Sequence, residues 1–283
     1  MEKEFSMLFR PVMGDADFLR ISKFIHNECG IRLPMNKKVM VEARLLNRLR
    51  DLHILTYSEY ISFVFDSGKI DPEVNNMIDV ITTNKTDFFR EAAHFQFFVN
   101  EALPEFVSNH PGKQFRLWSA GCSSGEEVYT LAMILNDFGL ENSRFLFKIL
   151  GTDISTRMLL AARTAIFAEG KASPIPSALK KRYLLRSKDR NKASVRIVRE
   201  LREKVEFKYH NLISDALTNY DTFDAIFCRN VLIYFEKETQ MKVIEKLTKV
   251  LRSGCYLFIG HSEAIMNHNL PLVQVGPSIY QKQ

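Results

Sequence analysis

Two adjacent acidic side chains follow a glycine-bearing turn near the middle of the chain. The run W-S-A-G-C-S-S-G-E-E at 118–127 places Gly121 and Gly125 directly after a short apolar stretch, where glycine lets the backbone approach a ligand closely. The spacing differs from the G-x-G-x-x-G pattern of dinucleotide-binding turns. Glu126 and Glu127 would repel a pyrophosphate, so the turn favours a cationic ligand without phosphate. S-adenosylmethionine, with its sulfonium and ammonium groups, fits that description, although such a turn can also be purely structural.

A third acidic residue, Asp153, ends the next predicted strand. A carboxylate at this place in an open sheet can accept hydrogen bonds from both ribose hydroxyls of a nucleoside ligand. The alternative role is a cap for the following helix, which Ser155 already offers. Together with the glycine turn, Asp153 therefore predicts a donor-binding cleft at the carboxyl ends of the strands.

The run T-T-N-K-T-D-F-F-R-E at 82–91 adds polar groups between two predicted domains. Asn84 and Thr86 offer short polar side chains, and the guanidinium of Arg90 can bind a carboxylate at two points. Phe88 and Phe89 are most simply explained as core residues. On its own this run is only a capped helix start, so its meaning depends on the other motifs.

A fourth run, F-C-R-N-V-L-I-Y-F at 227–235, leaves the strand predicted to lie beside the first. Asn230 and Tyr234 would then face a donor methyl group. Many enzymes that methylate exocyclic amines of nucleobases carry N-P-P-Y or D-P-P-Y here. This run has no such prolines, which argues against a nucleobase amine as acceptor.

Short helices with no strand pattern between them are predicted for the N-terminal region. Asp15 or Asp17 can cap the first helix, and Gly30 can end it. Thr56 and Glu59 make a capping box for the third. The region therefore predicts a small all-helical domain.

Two more helices belong to the same region. Asp71 and Pro72 supply a cap and a first helical residue for the fourth helix. The second helix covers residues 36–51, where apolar side chains recur near helical spacing. We expect its buried face to consist of Val39, Met40, Ala43, Leu46 and Leu49.

From about residue 115 strands alternate with helices, which predicts an α/β fold with a doubly wound, mostly parallel sheet. The predicted strands are 115–119, 145–150, 205–209, 223–228 and 255–259, and the predicted helices are 126–138 and 236–252. Residues 171–204 break the alternation and predict a small basic hairpin, inserted as a β-subdomain. We therefore expect a helical domain over 1–80 and a sheet domain over 81–283.

The composition is that of a globular protein, because 46% of the 283 residues are apolar and 25% are charged. No apolar run reaches the roughly 18 residues of a membrane span, and the first ten residues do not resemble a signal peptide. The four cysteines form no C-x-x-C pair, and the seven histidines show no zinc-type spacing. These features predict a cytoplasmic protein with reduced thiols and no bound metal.

Positive charge is concentrated in two segments, although the net charge is only +6. Residues 32–50 carry six basic side chains against Glu42 alone, and residues 171–208 carry thirteen against four acidic ones. Unless they are simply solvated, two basic patches on an otherwise acidic chain suggest a polyanionic partner, either a nucleic acid or an acidic protein surface.

Taken together, the motifs resemble the bacterial chemotaxis-receptor glutamate methyltransferases of the CheR type. The resemblance runs from about residue 15 to about residue 280 and also includes D-I at 153–154, N-L at 211–212 and G-H-S-E at 260–263. It implies a Rossmann-like class I methyltransferase domain that binds S-adenosylmethionine, releases S-adenosylhomocysteine and needs no metal.

The same resemblance implies roles for individual residues. Arg90 and Tyr234 would lie near the methyl group and orient the substrate carboxylate, and Glu127 would accept a hydrogen bond from either the ribose or the ammonium group. The donor site would be lined by Asn84, Thr86, Arg90, Gly121, Glu127, Asp153, Asn211, Leu212, Asn230 and Val231.

A basic N-terminal helix docks on the receptor in this family, and residues 37–50 match it here. The implied docking residues are Lys37, Lys38, Arg44, Arg48 and Arg50. Lys37, Arg44 and Arg48 fall at helical spacing, so we expect them to share one face.

Two departures from the family pattern stand out. Gly121 and Cys122 replace more usual alanines, a small change that we expect to be tolerated. The hairpin reads K-D-R-N-K-A-S at 188–194 without a glycine, so the grip on a receptor's C-terminal peptide that some members have is not predicted here.

The implied reaction is in-line methyl transfer to glutamate carboxylates on the cytoplasmic helical bundle of chemotaxis receptors, for sensory adaptation. A glutamate with a pKa near 4.3 is already ionised at neutral pH, so no general base is required. We expect a monomer that neither inserts into membranes nor binds nucleic acid. The alternatives are a nucleic-acid methyltransferase that uses the basic patches and a non-catalytic donor-binding scaffold.

Overall fold

The computed structural model describes residues 11–66, 72–189, 191–217, 220, 222–265 and 269–283. The chain divides into a helical unit, Met1–Thr83, and a sheet unit, Asn84–Gln283. No helix in the described ranges has both the length and the apolar character that a membrane crossing requires.

The described part of the helical unit contains four α-helices. They are α1 Asp15–Cys29, α2 Lys38–Asp51, α3 Tyr57–Asp66 and α4 Pro72–Ile81, with a 3-10 turn at Met35–Lys37 before α2. Pro72 is the first residue of α4, as predicted, whereas its predicted cap Asp71 lies outside the described residues.

The helix ends follow most of the predicted signals. Gly30 ends α1 with a φ of 64°. At the start of α3 the Glu59 N–H donates to Thr56 Oγ1 at 3.2 Å, and the Thr56 N–H donates to Glu59 Oε2 at 3.1 Å, which confirms the capping box. The predicted cap of α1 is wrong, because Gly14 occupies the N-cap position and Asp15 and Asp17 lie in the first turn.

The buried face of α2 also differs from the prediction. Val41, Leu45 and Leu49 are fully buried, whereas Val39 is 74% exposed. This i, i+4, i+8 stripe and the predicted one both have helical spacing. The spacing of apolar residues alone therefore could not determine which of two adjacent faces of α2 is buried.

The sheet unit begins with helical elements and continues as a mixed sheet with helices. Its helices are α5 Ala92–Phe97, α6 Leu103–Asn109, α7 Glu126–Glu141, α8 Thr156–Thr164, α9 Ser177–Tyr183, α10 Arg199–Arg202 and α11 Lys237–Val250, with a π-turn at Phe98–Ala102 and 3-10 turns at Glu169–Ala172 and Leu232–Tyr234. Its strands are β1 Phe115–Ala120, β2 Phe147–Asp153, β3 Ile166–Ala168, β4 Leu184–Arg186, β5 Ser194–Ile197, β6 Val205–Tyr209, β7 Phe223–Cys228, β8 Leu251–Ile259, β9 Leu272–Gly276 and β10 Ile279–Lys282.

In the described residues the main sheet has seven strands in the order β6-β2-β1-β7-β8-β10-β9. The first five are parallel, and β10 and β9 add an antiparallel edge that the sequence analysis did not predict. Strand order reverses beside β1, since the chain moves from β1 to β2 on one side and later from β7 to β8 on the other. Ligands bind at such a switch point, outside the carboxyl ends of the strands.

The inserted subdomain is larger than a hairpin. The predicted pair appears as β4 and β5, and β3 joins the other side of β5 to make a three-stranded antiparallel sheet among the described residues. Arg190, which belongs to the predicted hairpin segment, lies outside the described residues.

Aromatic packing fixes the strands that carry the switch point. Phe227 on β7 and Phe258 on β8 stack with ring centroids 4.2 Å apart. Phe98 meets both rings edge-on, at 5.4 Å and 5.8 Å. On the other face, the buried Trp118 donates from Nε1 to Thr152 Oγ1 at 2.9 Å, which ties β1 to β2.

Candidate active site

The turn after β1 is held by the end of β2. The backbone N–H groups of Gly121 and Cys122 both donate to the Thr152 carbonyl at 2.8 Å. Gly121 has a φ of +81°, and a Cβ at this position would collide with the side chain of Val231 on the turn after β7. Glycine therefore allows both the backbone conformation and the close approach, and two predicted donor-site residues are neighbours.

The carboxylate of Asp153 is buried beneath this turn. Its Oδ2 accepts from the Ser123 N–H at 2.7 Å, and its Oδ1 accepts from the Ser155 N–H at 2.9 Å. Ser155 caps α8 by accepting from the Met158 N–H, as the sequence predicted. A carboxylate oxygen can accept more than one hydrogen bond, so the position of Asp153 is compatible with ribose hydroxyls as additional donors.

Ser123 also binds the segment that opens the sheet unit. Its Oγ donates to the Asn84 carbonyl at 3.0 Å, and Thr86 follows as a half-buried residue. Further along, the Phe89 N–H donates to Thr130 Oγ1 on α7 at 3.2 Å. The segment 84–91 therefore lies along the glycine turn and the start of α7.

A buried arginine that the sequence analysis did not single out joins three parts of the site. The side chain of Arg229 is 2% exposed. It donates to Glu91 Oε2 from Nη2 at 3.0 Å and from Nε at 3.3 Å, and to Glu127 Oε2 from Nη1 at 3.2 Å. Its Nη2 also donates to the Arg90 carbonyl, and its guanidinium lies 5.2 Å from the centre of the Phe95 ring. One cation thus holds the segment 84–91, the start of α7 and the end of β7 together.

The negative charge of Glu127 is only partly balanced by neighbouring groups. Its Oε1 accepts from Ser119 Oγ at 2.8 Å, and its Oε2 faces Arg229. Burial raises the pKa of Glu127, and the attraction of Arg229 and the hydrogen bond from Ser119 offset only part of that rise. Because burial outweighs the effect of Arg229, further positive charge would stabilise the ionised carboxylate, so a cationic ligand would fit beside it.

The second acid of the pair has a different role. Glu126 is fully buried and forms an ion pair with Lys171 at 2.6 Å. The charge of Glu126 is therefore already paired within the protein, and only Glu127 was predicted to line the donor site.

Glu263 shapes the turn after β7. Its carboxylate accepts from the backbone N–H groups of Gly260 at 2.6 Å, Asn230 at 3.0 Å and Ile233 at 3.1 Å. Asn230 adopts a φ of +59°, and its Nδ2 donates to Glu91 Oε1 at 3.2 Å. These contacts fix Asn230 in the strained conformation that brings it to Glu91.

Asn211 and Leu212 are buried on the turn after β6. The preceding His210 N–H donates to the Asp153 carbonyl at 3.2 Å, which places this turn beside the end of β2. Asn211 Oδ1 accepts from the Ile213 N–H at 3.0 Å. This contact uses the Asn211 side chain to shape its own turn, and a donor contact for it stays a prediction.

The two residues assigned to the methyl-transfer centre lie on separate turns. Arg90 donates from Nη1 to the Lys85 carbonyl at 3.1 Å. Tyr234 closes the 3-10 turn after β7, where its N–H donates to the Val231 carbonyl at 3.2 Å. Both turns lie at the carboxyl edge of the sheet, and the catalytic roles of the two side chains stay predictions.

Two of the predicted docking arginines make contacts within the helical unit, and their docking role stays a prediction. Arg44 donates to the Ile81 carbonyl and, at 3.0 Å, to the Thr82 carbonyl at the end of α4. Arg48 binds both carboxylate oxygens of Glu73, at 2.8 Å and 2.6 Å. Both guanidinium groups cross-link α2 to α4, so they do not share an outward face with Lys37.

The other docking candidates are more accessible. Lys37 is exposed in the 3-10 turn before α2, and Arg50 is exposed near the end of that helix. Lys38 pairs with Asp15 at 2.5 Å and is half-buried. Of the predicted docking residues, Lys37 and Arg50 are therefore the exposed ones, and docking itself stays a prediction.

The sequence analysis assigned no role to three charged residues of the site, although they lie inside the quoted motifs. Glu91, Arg229 and Glu263 are each at most 12% exposed. The sequence did contain a signal, because each of these ionisable residues stands next to an apolar strand or an aromatic pair. A charge that is buried there requires a partner. The motifs did not indicate which charges pair with each other.

Two protein-family models match the chain. The model described as "CheR methyltransferase, SAM binding domain" matches residues 84–279, and the one described as "CheR methyltransferase, all-alpha domain" matches residues 16–82.

Similar proteins cover nearly the whole chain. A chemotaxis protein methyltransferase of Borreliella burgdorferi is 41% identical over 270 residues, which is 93% of this chain and 93% of that protein. A chemotaxis protein methyltransferase of Escherichia coli is 34% identical over 275 residues, covering 97% of this chain and 93% of that protein.

Proposed function

We propose that this chain, which belongs to the CheR methyltransferase family and uses S-adenosylmethionine as its methyl donor, forms glutamate methyl esters on chemotaxis receptors in the cytoplasm. The family models for both of its parts and the relatives over nearly its full length establish the membership. The observation that carries the proposed acceptor is the similarity to chemotaxis protein methyltransferases across both units.

The charges and hydrogen-bond acceptors of the site support this donor. Burial raises the pKa of Glu127 despite its contact with Arg229, so a cationic donor would stabilise its ionised form. The buried carboxylate of Asp153 lies beneath the glycine turn, and ribose hydroxyls would be additional hydrogen-bond donors to it. Gly121 lets this turn pack directly against Val231. When bound, S-adenosylmethionine supplies an electrophilic methyl group on a sulfonium.

The residues of the chain then act by positioning. A glutamate acceptor is ionised at neutral pH, so Arg90 and Tyr234 need only orient its carboxylate in line with the methyl group and exclude water. Arg229 fixes the Arg90 backbone through its carbonyl and holds Glu127 at the donor side. Because the acceptor is already ionised and the residues of the chain only position it, the site needs no acid–base pair.

The test uses tritiated donor, the full chain and a receptor cytoplasmic fragment. We expect label on the fragment that is released as methanol in mild base, as glutamyl esters require, and no label when the candidate glutamates are replaced by alanine. Base-stable label, or label on added nucleic acid, would favour the alternative that rests on the basic segments. Donor binding without transfer to any receptor fragment would indicate a scaffold.

Asp153→Ala should weaken donor binding by about 1.5–3 kcal/mol, the range of a charged hydrogen bond. The loss has two sources, because the carboxylate would bind the ribose and also holds the Ser123 N–H. Calorimetric titration with S-adenosylhomocysteine measures it. The control is Asp137→Ala. Asp137 lies on α7 and pairs with Arg182, so this variant should keep full affinity for the donor. Unchanged affinity of a folded Asp153→Ala protein would remove Asp153 from the site.

Donor binding should weaken as the pH falls through the raised pKa of Glu127. A bound cation favours ionised Glu127 and lowers its pKa from the raised value of the free protein. Protonation therefore opposes binding, and the logarithm of the association constant should fall with a slope approaching about one per pH unit below that pKa. In Glu127→Gln this part of the slope should disappear. An equal slope in both proteins would contradict the contact between Glu127 and the donor's positive charge.

Lys37→Glu combined with Arg50→Glu should raise the Michaelis constant for the receptor fragment roughly tenfold, since each exposed charge pair contributes up to about 1 kcal/mol. Both side chains are exposed, so thermal stability and donor affinity should stay unchanged. The effect should shrink at high salt. An unaltered Michaelis constant would place the receptor contact elsewhere.

A further inference from the structure

A second cluster of potential ligands lies beside Arg229 in the sheet unit. Glu91, His94 and His261 each bring one ligand atom to within 4.8 Å of the other two. Glu91 Oε2 lies 3.6 Å from His94 Nδ1 and 3.9 Å from His261 Nε2. The two histidine rings are 4.7 Å apart and nearly perpendicular. Two imidazoles and a carboxylate form a donor set that suits zinc and related transition metals.

The tautomer of His94 is fixed by its surroundings. Its Nε2 lies 3.2 Å from the Pro277 carbonyl, which can only accept, so Nε2 carries the proton and Nδ1 carries a lone pair. Burial lowers the pKa of His94 to about 4, assisted by the positive charge of Arg229. The ring is therefore neutral at physiological pH, and a backbone carbonyl orients it as in many metal-binding histidines.

The lone pair on His94 Nδ1 is buried without a partner in the described structure. The residue is 1% exposed, and Nδ1 makes no hydrogen bond with any described residue. Glu91 Oε2 lies 3.6 Å away and is also an acceptor, which takes hydrogen bonds from Arg229. Two acceptors that face each other in a buried place repel unless a cation or a donor lies between them.

We propose that Glu91, His94 and His261 form a binding site for a divalent transition-metal ion of the zinc class. An ion about 2.1 Å from both atoms fits the separation of 3.6 Å between Glu91 Oε2 and His94 Nδ1. The third ligand belongs to His261, whose side chain is 47% exposed. Rotation of this side chain closes the site, and its exposure gives the ion a path of entry.

An ion here competes with the network around Arg229. Glu91 accepts from Arg229 through Oε2 and from Asn230 through Oε1. A metal that draws on Glu91 loosens both contacts and adds positive charge next to Arg229. Metal binding and binding of the cationic donor should therefore oppose each other. This coupling rests on the proposed donor site, whereas metal binding itself does not.

The binding test uses the untagged, metal-free full chain and Co²⁺ as a spectroscopic probe. We expect visible absorption of a nitrogen- and oxygen-liganded site without thiolate charge-transfer bands, because the four cysteines are buried. His261→Ala should lose roughly a hundredfold in Co²⁺ and Zn²⁺ affinity while its unfolding temperature stays unchanged. His53→Asn should bind like the parent, since His53 is an exposed histidine of the helical unit at a positive φ that asparagine tolerates.

The coupling test measures donor affinity with and without Zn²⁺. The factor by which Zn²⁺ weakens S-adenosylmethionine should equal the factor by which the donor weakens Zn²⁺, and it should be smaller for S-adenosylhomocysteine, which lacks the sulfonium charge. Equal metal affinity in His261→Ala and the parent protein, or a thiolate spectrum, would overturn the site. Metal binding without coupling would refute only the competition with the donor.

Discussion

Arg229→Met is expected to destabilise the sheet unit by about 3–5 kcal/mol and to abolish measurable donor binding. The guanidinium is 2% exposed and is shared by Glu91 and Glu127. Removing it leaves two carboxylates close together in a buried place, with no cation between them. Each must then be protonated or hydrated, and either change opens the site.

The functional part of this effect has a geometric origin. Arg229 donates to the Arg90 carbonyl and to both acids, so its loss frees the segment 84–91 from the end of β7. Arg229→Lys keeps the charge but lacks the planar fork of donors. We expect this variant to recover part of the stability and little of the donor affinity.

A matched control separates stability from function. Arg252 pairs with the fully buried Asp224 at 2.7 Å on the same sheet. Arg252→Met also leaves a buried carboxylate unpaired, so it should lose stability but retain donor affinity. Chemical denaturation and donor calorimetry on the three variants measure both quantities. Full donor affinity in a folded Arg229→Met protein would contradict the positioning role.

The sequence predicted those features that depend on local chemistry. The capping box of Thr56 and Glu59, the left-handed end of α1 at Gly30 and the cap at Ser155 are all present. The alternation of apolar runs with helical segments predicted the parallel strands, because a strand buried on both faces reads as a continuous apolar run. Each of these signals lies within a few residues of the element that it determines.

Features that depend on distant partners were missed. β3 pairs with β5, and β9 and β10 extend the sheet beyond β8. The three strands have three to five residues each, and their neighbours define them more than their own patterns do. The same holds for the face of α2, where burial chose Val41 and Leu45 over Val39.

The candidate site shows the same division. The rule that ligands bind at the carboxyl ends of parallel strands placed Gly121, Asp153 and Asn230 near one another without structural information. Nothing in the motifs showed that Arg229 would pair with two acids from other runs. A pairing between segments that are far apart in sequence requires the fold to be known.

Arg48→Met should destabilise the helical unit by about 3–5 kcal/mol, which is far more than the loss of a surface contact. Glu73 is 4% exposed and accepts from Arg48 through both oxygens, from Tyr60 Oη at 2.9 Å and from Asn76 Nδ2 at 2.8 Å. Among these partners of Glu73, Arg48 is the one that carries a positive charge. Its removal therefore leaves the buried carboxylate without that charge. The exposed pair of Arg20 and Asp66 offers a control, and Arg20→Met should change stability by less than about 1 kcal/mol.

The pH dependence gives this prediction a sign. Burial raises the pKa of Glu73, but the hydrogen bonds from Arg48, Asn76 and Tyr60 outweigh it and leave the pKa lowered. The stability that Glu73 contributes is therefore present above its unfolded-state pKa and is lost as the pH falls through the lower folded-state value. In Arg48→Met burial dominates and the pKa of Glu73 rises, so acidification should narrow the stability difference between variant and parent. A difference that stays constant with pH, or a loss as small as that of Arg20→Met, would mean that Arg48 is free to serve a docking surface instead of joining α2 to α4.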